Sequence, residues 1–401
     1  MHRMIGRRKL LEAAGLALAF TPSTRAFADD LLRQGRAPQN LATPTGLFDR
    51  LITPTPSFFA RSHFGPPALE RARPLRVTGL VTSALTLDAA ELARSFPPVT
   101  VTAVLQCAGN GRALHEPRVP GLQWTHGAMG QATFTGVRLG DLLRKAGVAP
   151  GNLARTHVHL HGADAPPKPQ TPAFVRSIPI ERALDPTTLV AYRMNGEDLT
   201  LAHGAPLRLV VPGWAGDHWV KWLVELSLQK EEARGFFMTT AYRMPTEEVA
   251  PGAAVPPEKM RPATTFPVKS IIGAPADGGR APRGPQRVAG VAFSGVAPIA
   301  KVEVSLDDGK TWRAAARVRA PGAGRWVVFE HRFDRSEPGR VRALARATDR
   351  QGNTQPERAA WNPSGYFWNA WHAVSWEVAC GAPPSATRSP RRGLGARAPL
   401  G

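Results

Sequence analysis

Apolar positions in this chain come in short runs cut by proline and glycine, 39 and 38 residues that are spread rather than periodic. Such punctuation suits many short strands joined by turns and argues against long helical bundles. Two stretches carry apolar residues at helical spacing instead: residues 87–94, after Thr86, and residues 137–146, with Leu139-Gly140-Asp141-Leu142-Leu143 inside them. The β-branched run Val99-Thr100-Val101-Thr102-Ala103-Val104 reads as a strand, as do residues 156–160, 207–211 and 220–228. An α+β unit with mixed helices and strands is therefore expected over residues 29–255.

Pro251-Gly252-Ala253-Ala254-Val255-Pro256-Pro257 reads as a linker, and beyond it the pattern changes. Residues 287–293, 299–306, 326–333 and 340–348 are short alternating runs, with an Asp307-Asp308-Gly309-Lys310 turn between them. This predicts an immunoglobulin-like β-sandwich over residues 256–378. The end of the chain, residues 379–401, has four arginines, no acidic residue and much Pro, Gly, Ser and Ala, and reads as a disordered basic tail.

The N-terminus bears on where the protein works. Gly6-Arg7-Arg8-Lys9-Leu10-Leu11 precedes a short apolar stretch, and Ala26-Phe27-Ala28 supplies a small-x-small cleavage pattern. Residues 1–28 read as a twin-arginine signal peptide, which places the mature protein in the periplasm. No segment approaches the roughly 20 apolar residues of a membrane helix. The formal charge is +20, and losing Arg3, Arg7, Arg8, Lys9 and Arg25 against Glu12 still leaves a strongly positive chain. Such a field favours anionic substrates. Nucleic acid is not the expected partner, since the basic residues are scattered and no zinc-finger or basic-zipper spacing occurs.

Only two cysteines occur in 401 residues, and Cys107 stands at the end of the β-branched run, before a glycine turn. It could be a small buried hydrophobe, half of a disulfide with Cys380, or a soft metal ligand. No Cys/His cluster supports zinc and no Cys-x-x-Cys-His supports covalent haem. A lone thiolate would have to bind a metal that brings its other ligands with it.

Cys107-Ala108-Gly109-Asn110 resembles the cysteine motif of the sulfite oxidase family of molybdenum enzymes. In that family a pyranopterin dithiolene, molybdopterin, holds the metal together with one protein cysteine. Further segments follow in the family's order: Ile52 to Phe64, with Arg61-Ser62-His63 where Arg-Asn-His is usual; Leu189 to Gly196; His203 to Gly213; and Val220-Lys221-Trp222-Leu223. Beyond the linker, Val302 to Trp312 and Trp361-Asn362-Pro363-Ser364-Gly365 are similar to the family's dimerisation domain. The resemblance covers residues 39–378 and implies a homodimer.

Roles follow from the resemblance, residue by residue. Cys107 would ligate molybdenum. His63, His203, Arg208 and Lys221 would bind the phosphate-bearing pterin, Asp164 would accept its N–H groups, and Phe59, Ala60, Arg61, Ser62, Trp219 and Val220 would contact it. Arg61 and Arg112 would line an oxyanion pocket for sulfite, Tyr242 would be the active-site tyrosine, and Trp124 and His126 would form the outer wall. Ser364 stands where vertebrate and plant relatives have an arginine, which removes one positive charge. The expected reaction is molybdenum-dependent oxidation of sulfite to sulfate, with electrons passing to an external cytochrome c. Alternatives are a sulfane dehydrogenase component of a sulfur-oxidising complex, a sulfoxide reductase, and an exported scaffold without cofactor.

Overall fold

Burial alternates along strands such as His157–Gly162 and His372–Val378 but is nearly continuous along Met129–Arg138 and Lys269–Ala274. The computed structural model describes residues 32–33, 40–68, 73–148, 155–318 and 322–379; the expected signal peptide, Cys380 and the tail from it onward lie outside them. Strand Val99–Gln106 runs antiparallel to Met129–Arg138, pairing Val99 with Gly136 and Gln106 with Met129. Leu189–Met194 extends this sheet on the far side of Met129–Arg138, and Arg208–Val210 pairs with Leu189–Met194. A second sheet runs Leu85–Leu87, Leu75–Gly79, Leu223–Gln229, His157–Gly162, Val175–Pro179, with one parallel pair, Leu75–Gly79 beside Leu223–Gln229. Val101, Leu105 and Phe134 of the first sheet share one buried core with Val77, Leu160 and Leu226 of the second. Burying such a side chain fully contributes about 1.5–3 kcal/mol.

Both expected helices form, each starting two residues late. Helix Ala89–Ser95 is capped by Asp88, which accepts from Glu91 N–H at 2.7 Å while Glu91 reaches back to the Asp88 N–H at 2.9 Å. Leu87 instead ends strand Leu85–Leu87, opposite Leu75. Helix Leu139–Lys145 buries Leu139, Leu142 and Leu143, and Val137 stays in its strand opposite Val190. An apolar residue ending a strand and one opening a helix both face the core, so periodicity cannot separate them. The strand expected over 220–228 begins only at Leu223; Trp222 has φ 51°, and the loop before the strand is left to face the cavity described below.

From Lys269 onward the chain forms two facing sheets. One has the order Lys269–Ala274, Gly284–Phe293, Trp326–Arg335, Ala316–Val318, the other Gly279–Ala281, His372–Val378, Gly339–Asp349, Ile299–Ser305, Arg313–Ala314. Val288, Ala292 and Phe329 of the first pack on Val302, Ala345 and Trp376 of the second. The Asp307 turn forms as expected, with Asp308 at φ 58° and Gly309 at φ 84°.

A third apolar layer joins the sandwich to the first part. Phe48, Val104, Met129 and Tyr242 meet Phe266, Phe293, Trp326, Tyr366 and Phe367 there. Polar contacts cross the same seam: Gln131 accepts from Trp326 N–H at 2.7 Å, and Val104 N–H donates to Gly324 O at 2.8 Å. Among the described residues no helix is long and apolar enough to cross a membrane.

Candidate cofactor cavity and active site

The largest set of expected site residues converges on one cleft of about 710 Å³ of empty space, its mouth included. Strand Val99–Gln106 delivers Cys107 to its wall. Beyond the strand, Cys107 O accepts from Asn110 N–H at 3.0 Å, and Asn110 Oδ1 accepts from Ala128 N–H at 3.1 Å, so the thiol sits on a braced turn. Burial pushes the Cys107 thiol up, against the pull of Arg61 and Arg112. A ligated metal would reverse that balance, because coordination holds a thiol deprotonated.

Phe59, Ala60, Arg61, Ser62 and His63 enter the same cleft on a segment pinned by an Ala60–Leu41 bridge. Arg61 Nη2 lies 3.2 Å from His63 Nδ1, and His63 Nε2 lies 2.8 Å from Tyr242 Oη. Burial first, then Arg61, lowers the His63 imidazole to about 3, so it is neutral. Tyr242 is held at φ 57°, a left-handed conformation that costs a non-glycine residue of order 1–3 kcal/mol. Its phenol is pushed up by burial and stays protonated as a donor.

The far end of the cleft is cationic. Arg208 is buried and donates to carbonyl oxygens, His203 O at 2.9 Å and Trp219 O at 3.3 Å. Lys221 Nζ donates to Ala202 O at 2.9 Å. Among the described residues neither has an ion pair within 4 Å, and burial lowers Arg208 to about 9 and Lys221 to about 7. Asp164, also on the wall, is raised to about 6 by burial. His203 Nδ1 lies 2.7 Å from Thr200 Oγ1, Trp219 donates its indole N–H to Trp214 O at 3.0 Å, and Val220 completes the wall. Glycine is required here: a Cβ on Gly204 (φ 106°) would meet Lys221 and Arg208 side-chain carbons at 3.0–3.1 Å. A soft thiol together with a buried arginine that has only carbonyl partners and a lysine with no ion pair within 4 Å fits a metal dithiolene with an anionic tail.

Arg112 is not brought to the cavity wall. Its Nε donates to Ser364 O at 3.0 Å and its Nη1 to Leu122 O at 3.2 Å, behind the Cys107 turn. Trp124 and His126 do not form an outer wall either. Trp124 is buried in the first core, and His126 packs 4.4 Å from the His372 ring and 5.4 Å from Trp368 at the seam. Trp124 is an inward core position and His126 a packed position at the seam, and alternation along the chain cannot distinguish either from a pocket rim.

Sequence reasoning missed a buried charged group beside the thiol. Asp217 lines the cleft, and its Oδ2 lies 2.7 Å from Arg176 Nη2. Arg176 also bonds His218 Nε2 at 2.9 Å and stands 5.2 Å over the Tyr242 ring. Burial raises Asp217 to about 6, with Arg176 opposing. The local signal is a charged residue, Arg176, inside the short strand Val175–Pro179.

Comparison with known proteins agrees with this geometry. The oxidoreductase molybdopterin binding domain matches residues 63–237, and the Mo-co oxidoreductase dimerisation domain matches residues 261–379. Sulfite oxidase of Arabidopsis thaliana is 35% identical over 364 residues, 84% of this chain and 92% of that protein. Mitochondrial sulfite oxidase of Homo sapiens is 33% identical over 371 residues, 87% of this chain and 67% of that protein. The crystal structure of the sulfane dehydrogenase SoxCD from Paracoccus pantotrophus superposes with a TM-score of 0.75 at 27% identity, covering 92% of this chain and 95% of that one. With a cleft built for a metal dithiolene and both domain models matched, the chain belongs to the sulfite oxidase family and is a molybdenum–molybdopterin oxidoreductase.

Proposed function

We propose that this protein oxidises sulfite to sulfate at the Cys107 end of the cleft and passes the electrons singly to an external cytochrome c, as a homodimer exported to the periplasm. The reaction consumes sulfite and water and yields sulfate, two protons and two electrons, so two one-electron acceptors balance each turnover. Molybdenum, when bound, supplies the oxygen atom and stores the electron pair. The chain's own residues do the rest. Cys107 anchors the metal, while His203, Arg208 and Lys221 hold the anionic tail of the pterin and Asp164 accepts its N–H groups. Arg61 orients the sulfur anion and offsets its charge. Tyr242 would present its phenol O–H towards the cleft, its Oη accepting at 2.8 Å from the Nε2–H of neutral His63, whose Nδ1 accepts from Arg61. Arg112, held behind the turn, contributes its positive charge through the Cys107 loop rather than by contact.

The observation that carries this reading is the convergence of Cys107, Arg61, His63 and Tyr242 on one cleft whose wall also holds Arg208 and Lys221, neither in an ion pair within 4 Å among the described residues. Molybdenum analysis of purified protein, together with sulfite-dependent reduction of cytochrome c, tests it. Absence of molybdenum, or loaded enzyme inert towards sulfite, would sink it.

Charge at the thiol end supports a second reading, sulfane oxidation. Asp217 lines the cleft, Arg112 is committed to carbonyls, and Ser364 Oγ donates to Arg243 O at 3.0 Å where relatives supply an arginine. Such a pocket favours a dianion less than one with three free guanidinium groups. Turnover of a protein-bound sulfane in preference to sulfite would establish it.

A further inference from the structure

The groups proposed for chemistry all come from the first part of the chain, yet three contacts that place them come from residues 362–367. Phe367 N–H donates to Ala108 O at 2.9 Å, next to Cys107. Ser364 O accepts from Arg112 Nε at 3.0 Å. Tyr366 Oη accepts from the backbone N–H of Tyr242 at 3.2 Å, and the two phenol rings stack with centroids 5.7 Å apart and planes 3° from parallel.

This segment is itself braced. Asn362 Oδ1 accepts from Tyr366 N–H at 3.0 Å, and Asn362 Nδ2 donates to Tyr366 O at 2.9 Å. Ser364 Oγ bonds Arg243 O at 3.0 Å, so the same six residues grip both sides of the Tyr242–Arg243 peptide. From the other face, Tyr242 O accepts from Ala263 N–H at 2.8 Å. Tyr242 is therefore held in its left-handed conformation by hydrogen bonds, and that backbone direction points Oη at His63. With the Oη of Tyr366 gone, the Tyr242 amide would be a buried donor with no partner, and the backbone would turn to find one.

We propose that Tyr366 is a positioning residue for Tyr242: it fixes the backbone from which the catalytic phenol projects, and through it the β-sandwich completes the active site. Tyr366 is not among the residues lining the cleft; the Arg112 guanidinium stands 5.3 Å over its ring, a contact that the Phe variant keeps, so loss of Oη acts through the Tyr242 amide. The proposal rests on the role given above to Tyr242. It adds to the sandwich a duty apart from association of subunits.

A double-mutant cycle on molybdenum-loaded enzyme tests it. Tyr366→Phe keeps the ring and its stacking and removes only Oη. The expected result is unchanged molybdenum content and KM, kcat lowered by about 10-fold, and an altered pH dependence of the Mo(V) electron paramagnetic resonance signal. In a Tyr242→Phe background the same change should cost nothing further, because the phenol it positions is already gone. Equal loss in both backgrounds, or wild-type kcat and spectrum in Tyr366→Phe, would overturn the proposal. Tyr366→Leu also removes Oη, so it should lower kcat in the wild-type background and cost nothing further in the Tyr242→Phe background, and it serves the cycle if the Phe variant does not fold. Should the enzyme oxidise a sulfane rather than sulfite, the cycle is read on that substrate, so the two proposals fail separately.

Discussion

The cleft and the sandwich core lie in one chain but are held together by opposite means. Between the two sandwich sheets, Val288, Val302, Phe329 and Trp376 pack with no charge among them. Around the cleft, Arg176, His203, Arg208, Asp217 and His218 are all buried, and Arg208 has carbonyl oxygens where a counter-ion would be. Burying a charge without a partner opposes folding, whereas burying an aliphatic side chain favours it. The difference teaches that the sandwich core is dominated by apolar burial, with Lys269 as a buried charged exception, while the cleft gathers several such groups, a cost that a bound anionic group would offset.

The largest expected effect lies at the thiol. Cys107→Ser should abolish sulfite turnover, exceeding the roughly 100-fold loss typical of removing an outer partner of a metal ligand, while pterin content stays near wild type. Steady-state rates with pterin and molybdenum assays check it, and retained activity would refute the ligand assignment. In contrast, Phe329→Ala in the sandwich should cost about 3–5 kcal/mol of stability and leave kcat/KM of the folded enzyme unchanged. Urea denaturation beside kinetics would show this. An equal loss of kcat/KM would erase the distinction between the two regions.

Acid should sharpen the contrast in cofactor-free protein. Eight imidazoles, at positions 63, 115, 126, 161, 203, 218, 331 and 372, are lowered by burial. Below about pH 6.5 the unfolded chain takes up protons that these folded sites refuse, so stability falls as pH falls. Asp164 and Asp217, raised to about 6, act the other way between about pH 4 and 6, but two carboxyls do not outweigh eight imidazoles. The urea midpoint at about pH 5 should lie below that at pH 7.5; a higher one would mean the buried carboxyls dominate. Smallest is Asp88→Ala, which removes the capping box of helix Ala89–Ser95 and should cost about 1 kcal/mol with no kinetic effect, by the same denaturation.

Much of this was legible beforehand. Turn chemistry and β-branched runs located most strands, and ordered motifs named the residues from Phe59 to His63, Cys107, His203, Arg208 and Lys221 that the cleft brings together. Strand Met129–Arg138 was not read, because Gly130 and Gly136 break its pattern. Gly130 stands where a Cβ would strike the Phe58 ring at 2.6 Å, a requirement of a neighbour far away in sequence. Helix starts were displaced for the reason that strand ends and helix starts share an apolar face.

By itself the sequence determined which chemical groups are present and in what order: a lone thiol after a strand, cations and imidazoles on turns, and alternating runs that must pair to bury their faces. Local spacing carries that information because backbone geometry converts it directly into direction. Only the tertiary structure decided that Arg112 faces carbonyls instead of the cleft, that Trp124 and His126 pack inward, that Asp217 stands beside Arg61 and Cys107 on the wall, and that Tyr366 braces Tyr242 from 124 residues away. Those outcomes depend on which buried polar atoms find partners across the seam, and such partners are set by packing in three dimensions rather than by neighbours along the chain.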